Sequence, residues 1–116
     1  MKGVLVEDWT EFDNLDPQEV PRPLELKRNE VRIAVHVAGV SFATSLVVAG
    51  RYQRKPPLPF VPGTEAAGTI LQTGADVTRF TAGDRVVATV DWGAMGEEVV
   101  VADATVFPLP KAISFA

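Results

Sequence analysis

Residues 30–38 read Glu-Val-Arg-Ile-Ala-Val-His-Val-Ala, and this stretch decides the fold class. Branched apolar residues recur at every second position, at Val31, Ile33, Val35 and Val37. Because successive side chains of a strand point to opposite faces, this period of two predicts a β-strand with one apolar face. The other face carries Arg32, Ala34, His36 and Ala38.

Similar short apolar runs follow along the chain and are separated by turn residues. The pattern predicts further strands at residues 4–6, 65–73, 85–90 and 97–102, with extended chain at 107–110. Nine glycines and nine prolines lie around these runs, which is typical of small β domains. We therefore predict a mainly β fold, a small and partly open barrel with one or two short helices.

Two strand runs contain valine on both faces, at residues 86–87 and 99–101. This composition predicts strands that are buried on both sides. The small residues 66–68 within the run 65–73 predict a close approach of a neighbouring backbone.

A short helix and a rigid loop are predicted after the first long strand. Ser41 is a candidate N-cap for a helix that runs to Ala49, and Gly50 suits the left-handed end of that helix. Four prolines among residues 56–62 remove four backbone donors and exclude regular structure there. The loop at residues 51–62 is therefore stiff and presents its side chains at low entropic cost.

Length and charge exclude several classes of protein. The chain has 116 residues, about one domain, and a net charge of −4, which argues against nucleic-acid and anionic-membrane partners. It has no cysteine and a single histidine, His36, which leaves little for a zinc site. The uncharged stretch at residues 37–50 is too short and too polar to cross a bilayer. We expect a cytoplasmic protein.

Phosphate-binding and hydrolytic motifs are absent from the sequence. No Gly-x-Gly-x-x-Gly run follows a strand, and no Ser–His–Asp triad is evident. His36 lies in the middle of a strand, so we interpret it as a packed or surface histidine rather than a base.

The loop after the predicted helix carries the candidate polar groups. Tyr52 is held between Gly50 and the proline-rich loop, so its hydroxyl is available to donate to a carbonyl oxygen, with simple packing as the alternative. Arg51, Arg54 and Lys55 form a cationic cluster. The cluster either meets an anionic group such as a nucleotide phosphate or is a solvated part of the loop.

Three stretches, taken in order, resemble a known family. They are residues 39–68, which end in Pro-Gly-Thr-Glu-Ala-Ala-Gly; residues 80–86, which contain Gly-Asp-Arg-Val; and residues 92–101, followed by Phe-Pro-Leu-Pro at 107–110. The order resembles the amino-terminal GroES-like catalytic domain of the medium-chain dehydrogenase/reductase superfamily, in its zinc-free quinone oxidoreductase (zeta-crystallin-like) branch. The resemblance runs from Met1 to Phe115, nearly the whole chain.

The resemblance implies NADPH-dependent hydride transfer to a quinone or an α,β-unsaturated carbonyl. It assigns the catalytic hydrogen bond to Tyr52, which also contacts substrate, and it makes Phe42 and Trp92 walls of the substrate cleft. Core packing is an equal alternative for Phe42. The family usually has asparagine and aspartate where this chain has Ser41 and Thr44, so two hydroxyls replace an amide and a carboxylate as candidate cofactor-binding groups.

The resemblance also implies that zinc is not used. Zinc-dependent relatives carry cysteine and histidine at the positions occupied here by Ser41 and Thr64. Hydroxyl side chains do not replace the thiolate and imidazole ligands that zinc requires.

Relatives in this family bind NADPH in a Rossmann domain that follows the barrel. We therefore expect residues 1–116 to form one GroES-like domain, a fragment of a longer two-domain enzyme that is inactive alone and homodimeric at full length. Its partners would be a small quinone or enone, with no nucleic acid and no membrane. The alternatives are a stand-alone, non-enzymatic GroES-like binding module and, less favoured, a co-chaperonin subunit.

Overall fold

The computed structural model describes residues 1–115, so Ala116, the last residue of the predicted domain, lies outside the described residues. Within them, the elements follow in the order β1 (Lys2–Gly3), β2 (Gln18–Glu19), β3 (Glu30–Ala38), α1 (Phe42–Val48), β4 (Glu65–Thr73), β5 (Arg85–Thr89), β6 (Glu98–Ala102) and β7 (Val106–Pro108). Short 3-10 turns occupy Phe12–Asn14 and Asp103–Thr105.

Antiparallel pairing organises these strands into two sheets. The larger sheet has five strands in the order β6-β3-β4-β5-β7, and β1 pairs with β2 in a separate two-stranded sheet. Neither sheet closes into a ring. The predicted mainly β, partly open architecture with a short helix is therefore confirmed.

Strand β3 is an inner strand of the larger sheet, because β4 and β6 pair with its two edges. Its predicted bounds are confirmed, and Val31 and Ile33 are fully buried. Val37 is 39% exposed, so its predicted place on the apolar face is wrong. The register of β3 against β4 shifts between Val35 and Val37, and this irregularity interrupts the alternation of side chains.

The main hydrophobic core consists of side chains from one face of the larger sheet and from the turn before β5. Its buried members are Val31, Ile33, Ile70, Phe80, Val86, Ala88, Val99, Val101 and Val106. Val87 and Val100 are only half-buried. The prediction that these strands are buried on both sides is wrong, because an antiparallel sheet packs one face on the core and leaves the other partly solvated.

The close approach predicted at residues 66–68 occurs at Gly68. This residue pairs with Val35 of β3, and a Cβ built on it would lie 2.0 Å from the carbonyl oxygen of Ala34. Only glycine leaves room for the neighbouring backbone at this position.

A second, smaller cluster of buried side chains joins α1 to the start of the chain. It contains Val6, Val47, Val48 and Phe60. The predicted strand at residues 4–6 is wrong, since β1 lies earlier and Val6 forms an isolated bridge with Phe60. The partner of Val6 belongs to the proline-rich loop, which lacks the donors to extend the bridge into a strand.

Helix α1 begins and ends as its sequence predicts. The Ser41 side chain caps it by accepting a hydrogen bond of 3.3 Å from the Thr44 amide, and Gly50 follows it with a φ of +72°. The helix has 7 residues. Nowhere in residues 1–115 is a helix long and apolar enough to cross a bilayer.

Candidate functional site

A cavity of about 720 Å³ lies where α1, the proline-rich loop and the turn after β5 meet. We call it the Tyr52 cavity. Its lining is Ala43, Val47, Tyr52, Gln53, Arg54, Thr64, Val90 and Asp91. Its lining combines aliphatic and hydrogen-bonding groups, which is typical of sites for small, mostly apolar ligands with a few polar atoms.

Tyr52 is positioned by the end of α1. The Arg51 amide donates to the Leu46 carbonyl over 2.8 Å, and Gly50 turns the chain there. The Tyr52 side chain is 40% exposed. Within the described part of the chain its hydroxyl has no hydrogen-bond partner, so it is free to donate to a ligand in the cavity.

Thr64 and Val90 line the cavity next to strands β4 and β5. The Val90 amide donates to the Thr64 carbonyl over 2.9 Å, which holds the start of β4 beside the end of β5. From the sequence, Thr64 is notable only as a position that lacks a zinc-binding histidine. The structure adds that Thr64 lines the Tyr52 cavity.

The cationic cluster of the loop is divided by the fold. Arg54 lines the Tyr52 cavity and forms an ion pair with Asp91, whereas Arg51 lines a different cavity. No local pattern connects Asp91 with Arg54, because 37 positions separate the two residues.

Ser41 and Thr44 lie together at the beginning of α1. Their hydroxyl oxygens are 3.2 Å apart, and Thr44 is only 1% exposed. Both hydroxyls therefore contribute to the helix cap. Neither residue lines the Tyr52 cavity, and their cofactor-binding role stays a prediction.

Phe42 and Trp92 line two other cavities. Phe42, 79% exposed, borders a space of about 810 Å³ together with Trp9 and Phe12. Trp92 borders a space of about 440 Å³ that shares Val90 and Asp91 with the Tyr52 cavity. The structure thus does not bring the three predicted aromatic residues into one cavity.

His36 is an exposed residue that takes part in local packing. Its Nε2 lies 3.2 Å from the Thr69 hydroxyl, and its ring stacks on Phe115 at 4.2 Å. It does not belong to any group of three or more metal-binding side chains, and none is present among residues 1–115.

Comparison with known proteins gives a match to one family model. The model describes the alcohol dehydrogenase GroES-like domain, and it matches residues 27–111. The matched region contains β3 to β7 and α1, and therefore the whole lining of the Tyr52 cavity.

Proteins of similar sequence include some that are named quinone oxidoreductase or quinone oxidoreductase-like protein. Quinone oxidoreductase-like protein 2 of the rat is 44% identical over 98 residues, which cover 84% of this chain and 27% of the relative. Human quinone oxidoreductase is 38% identical over 97 residues, covering 83% of this chain and 29% of the relative. The chain thus spans less than a third of the length of these relatives.

Solved structures of similar fold superimpose on almost all of this chain. The human synaptic vesicle membrane protein VAT-1 homolog-like protein superimposes with a TM-score of 0.91 at 30% identity, over 99% of this chain and 36% of that one. Quinone oxidoreductase of Escherichia coli, solved in complex with NADPH, has a TM-score of 0.90 at 29% identity, over 99% and 35%.

Proposed function

The chain belongs to the alcohol dehydrogenase GroES-like domain family, and from this we propose that it is the substrate-side domain of an NADPH-dependent oxidoreductase. The substrates are quinones or α,β-unsaturated carbonyls, which the enzyme reduces by hydride transfer. The quinone oxidoreductase relatives support this reaction, and a structure of such an enzyme with NADPH supports the cofactor.

The observation that carries the proposal is the Tyr52 hydroxyl at the Tyr52 cavity, which has no hydrogen-bond partner among residues 1–115. Hydride addition to a quinone or enone builds negative charge on the carbonyl oxygen. A fixed hydrogen-bond donor stabilises that charge as it develops. Tyr52 supplies such a donor from a loop that prolines make stiff.

The residues of the cavity fit a flat ring with polar substituents. Ala43, Val47 and Val90 offer apolar contact, while Gln53 and Thr64 offer amide and hydroxyl groups. When bound, NADPH supplies the hydride, and this chain orients the acceptor carbonyl through Tyr52. We propose that Ser41 and Thr44 contact the cofactor from the beginning of α1, and that Phe42 and Trp92 border the wider substrate cleft.

We propose that the reaction needs no zinc. Zinc acts in such reactions by polarising the carbonyl oxygen, and a hydrogen bond from Tyr52 performs the same task. Ser41 and Thr64 carry hydroxyls where zinc-dependent relatives carry zinc ligands, and hydroxyls are poor ligands for zinc.

The complete protein is proposed to include a nucleotide-binding domain and to act as a cytoplasmic homodimer. This chain covers only 27% and 29% of the length of the two relatives described above, and this supports the proposal of an additional domain. We propose that residues 1–116 alone do not catalyse the reaction.

The test is NADPH oxidation by the complete two-domain protein. With a quinone or an enone as acceptor, we expect turnover that persists after dialysis against a chelator. Loss of activity on dialysis, with recovery on adding Zn²⁺, would refute the metal-free reaction. Absence of turnover with either acceptor class would refute the proposed substrates and leave the binding-module alternative.

A further inference from the structure

The Tyr52 cavity contains one cation and one anion. Arg54 and Asp91 are the charged side chains that line it within the described residues. They form an ion pair between Arg54 Nη1 and Asp91 Oδ1. The lining of the cavity as a whole is therefore electrically neutral.

The ion pair joins two segments that are distant in sequence. Arg54 belongs to the proline-rich loop and Asp91 to the turn after β5. Their side chains are 58% and 64% exposed, and ion pairs of such exposure contribute little to folding stability. The larger consequence is electrostatic, because both charges border the space that a ligand enters.

We propose that Asp91 makes the Tyr52 cavity selective for uncharged carbonyl substrates. An anionic substrate that approaches Arg54 has to displace Asp91 from it and remains close to the Asp91 carboxylate. An uncharged quinone or enone does not have to displace Asp91 and is not repelled by its carboxylate. The inference rests on the proposed function, since it concerns the substrates of the same cavity.

Selectivity of this kind comes from a repulsive element as much as from an attractive one. Arg54 by itself would attract anions, because a guanidinium pairs well with carboxylate and sulfonate groups. Asp91 cancels that attraction. The neighbouring cation Arg51 does not restore it, because Arg51 lines the cavity of Phe42 instead.

The experiment compares two ligands of nearly the same shape, one anionic and one uncharged. Anthraquinone sulfonate and the corresponding sulfonamide are titrated into the isotope-labelled chain, and amide chemical shifts give both the binding site and the dissociation constant. We expect the sulfonamide to bind the native chain more tightly than the sulfonate. Asp91→Asn should tighten sulfonate binding about two- to fivefold at low salt and leave sulfonamide binding unchanged.

A second variant and a matched control complete the design. Arg54→Gln leaves Asp91 without its cation, so it should weaken sulfonate binding without affecting the sulfonamide. Asp76→Asn removes the same charge from another exposed ion pair, that of Asp76 with Arg28. Asp76 does not line the cavity, so this variant should behave as the native chain does. The effect of Asp91→Asn should shrink as salt is added.

The outcomes separate this inference from the proposed function. If both ligands shift the amides of the cavity but Asp91→Asn changes neither dissociation constant, the charge selectivity is wrong while the site stands. If Asp76→Asn tightens sulfonate binding as much as Asp91→Asn does, only the net charge of the chain matters and the inference is also wrong. If neither ligand shifts the cavity amides, the charge selectivity is wrong, and turnover by the complete protein decides the proposed function separately.

Discussion

At the scale of single residues, Tyr52 is the most direct test of the proposed chemistry. In the complete protein, Tyr52→Phe should lower kcat/KM for a quinone or enone about a hundredfold, because it removes one fixed donor from a developing oxyanion. Steady-state NADPH oxidation measures this loss. An unchanged kcat/KM would remove Tyr52 from the mechanism.

The control for Tyr52→Phe is the thermal stability of the same variant. The hydroxyl has no partner within residues 1–115 and the side chain is 40% exposed, so its removal should leave Tm unchanged. A large fall in Tm would mean that the hydroxyl supports the fold instead of a ligand.

Residue roles that depend on near neighbours could be predicted from the sequence. Ser41 was identified as an N-cap because capping needs only the residues of the first helical turn. The ion pair of Arg54 with Asp91 could not be predicted, because no local pattern connects the two positions. Contacts of Ser41 and Thr44 with a cofactor depend on atoms outside this chain, and they stay predictions.

At the scale of elements, the spacing of β3 and β4 depends on Gly68. A Cβ there would meet the Ala34 carbonyl oxygen at 2.0 Å, so Gly68→Ala has to separate the two central strands or shift their register. We expect a loss of about 3 kcal/mol or more in the free energy of unfolding, at the upper end of the range for overpacking. Urea denaturation of the purified chain measures it.

Gly39→Ala is the matched control for Gly68→Ala. At Gly39 the nearest atom to an added Cβ would be Oε2 of Glu65, at 3.1 Å, and a carboxylate end is able to move aside. This variant should lose much less stability than Gly68→Ala. Equal losses would show that the close approach of the two strands is not what Gly68 provides.

The same comparison explains which elements were predictable. The bounds of β3 and β4 agree with the sequence, because a long run of strand-forming residues between turn residues carries its own signal. The strand predicted at residues 4–6 was wrong, since the pairing of a short segment is decided by its partner. The exposure of Val37 was missed for a related reason, because a register shift exists only between two strands.

At the scale of the whole molecule, we propose that the chain presents one side of a reaction site. We expect the isolated 116-residue chain to give no NADPH oxidation above background with any quinone or enone, because hydride transfer requires donor and acceptor to be held in contact. Absorbance of the reduced cofactor measures this. A rate that scales with the concentration of the isolated chain would contradict the expectation.

The location of the site was only partly predictable because the Tyr52 cavity is assembled from residues between positions 43 and 91. The fold could be predicted from turns, strands and the order of the three motif stretches. Tyr52 was found from the chain around it, whereas the separation of Phe42 and Trp92 into other cavities depends on how α1 and the turn after β5 pack.

The two buried clusters have a consequence for how such a domain diversifies. The Tyr52 cavity touches both, through Val47 of the smaller cluster and through Val90, which packs against the larger. A pocket between two separately packed clusters changes shape when one cluster shifts by a fraction of an ångström. Neither cluster has to unfold for this to happen. Directed evolution toward new acceptor substrates would therefore gain most from libraries of variants in α1. Such variants remodel the pocket while the larger sheet stays intact.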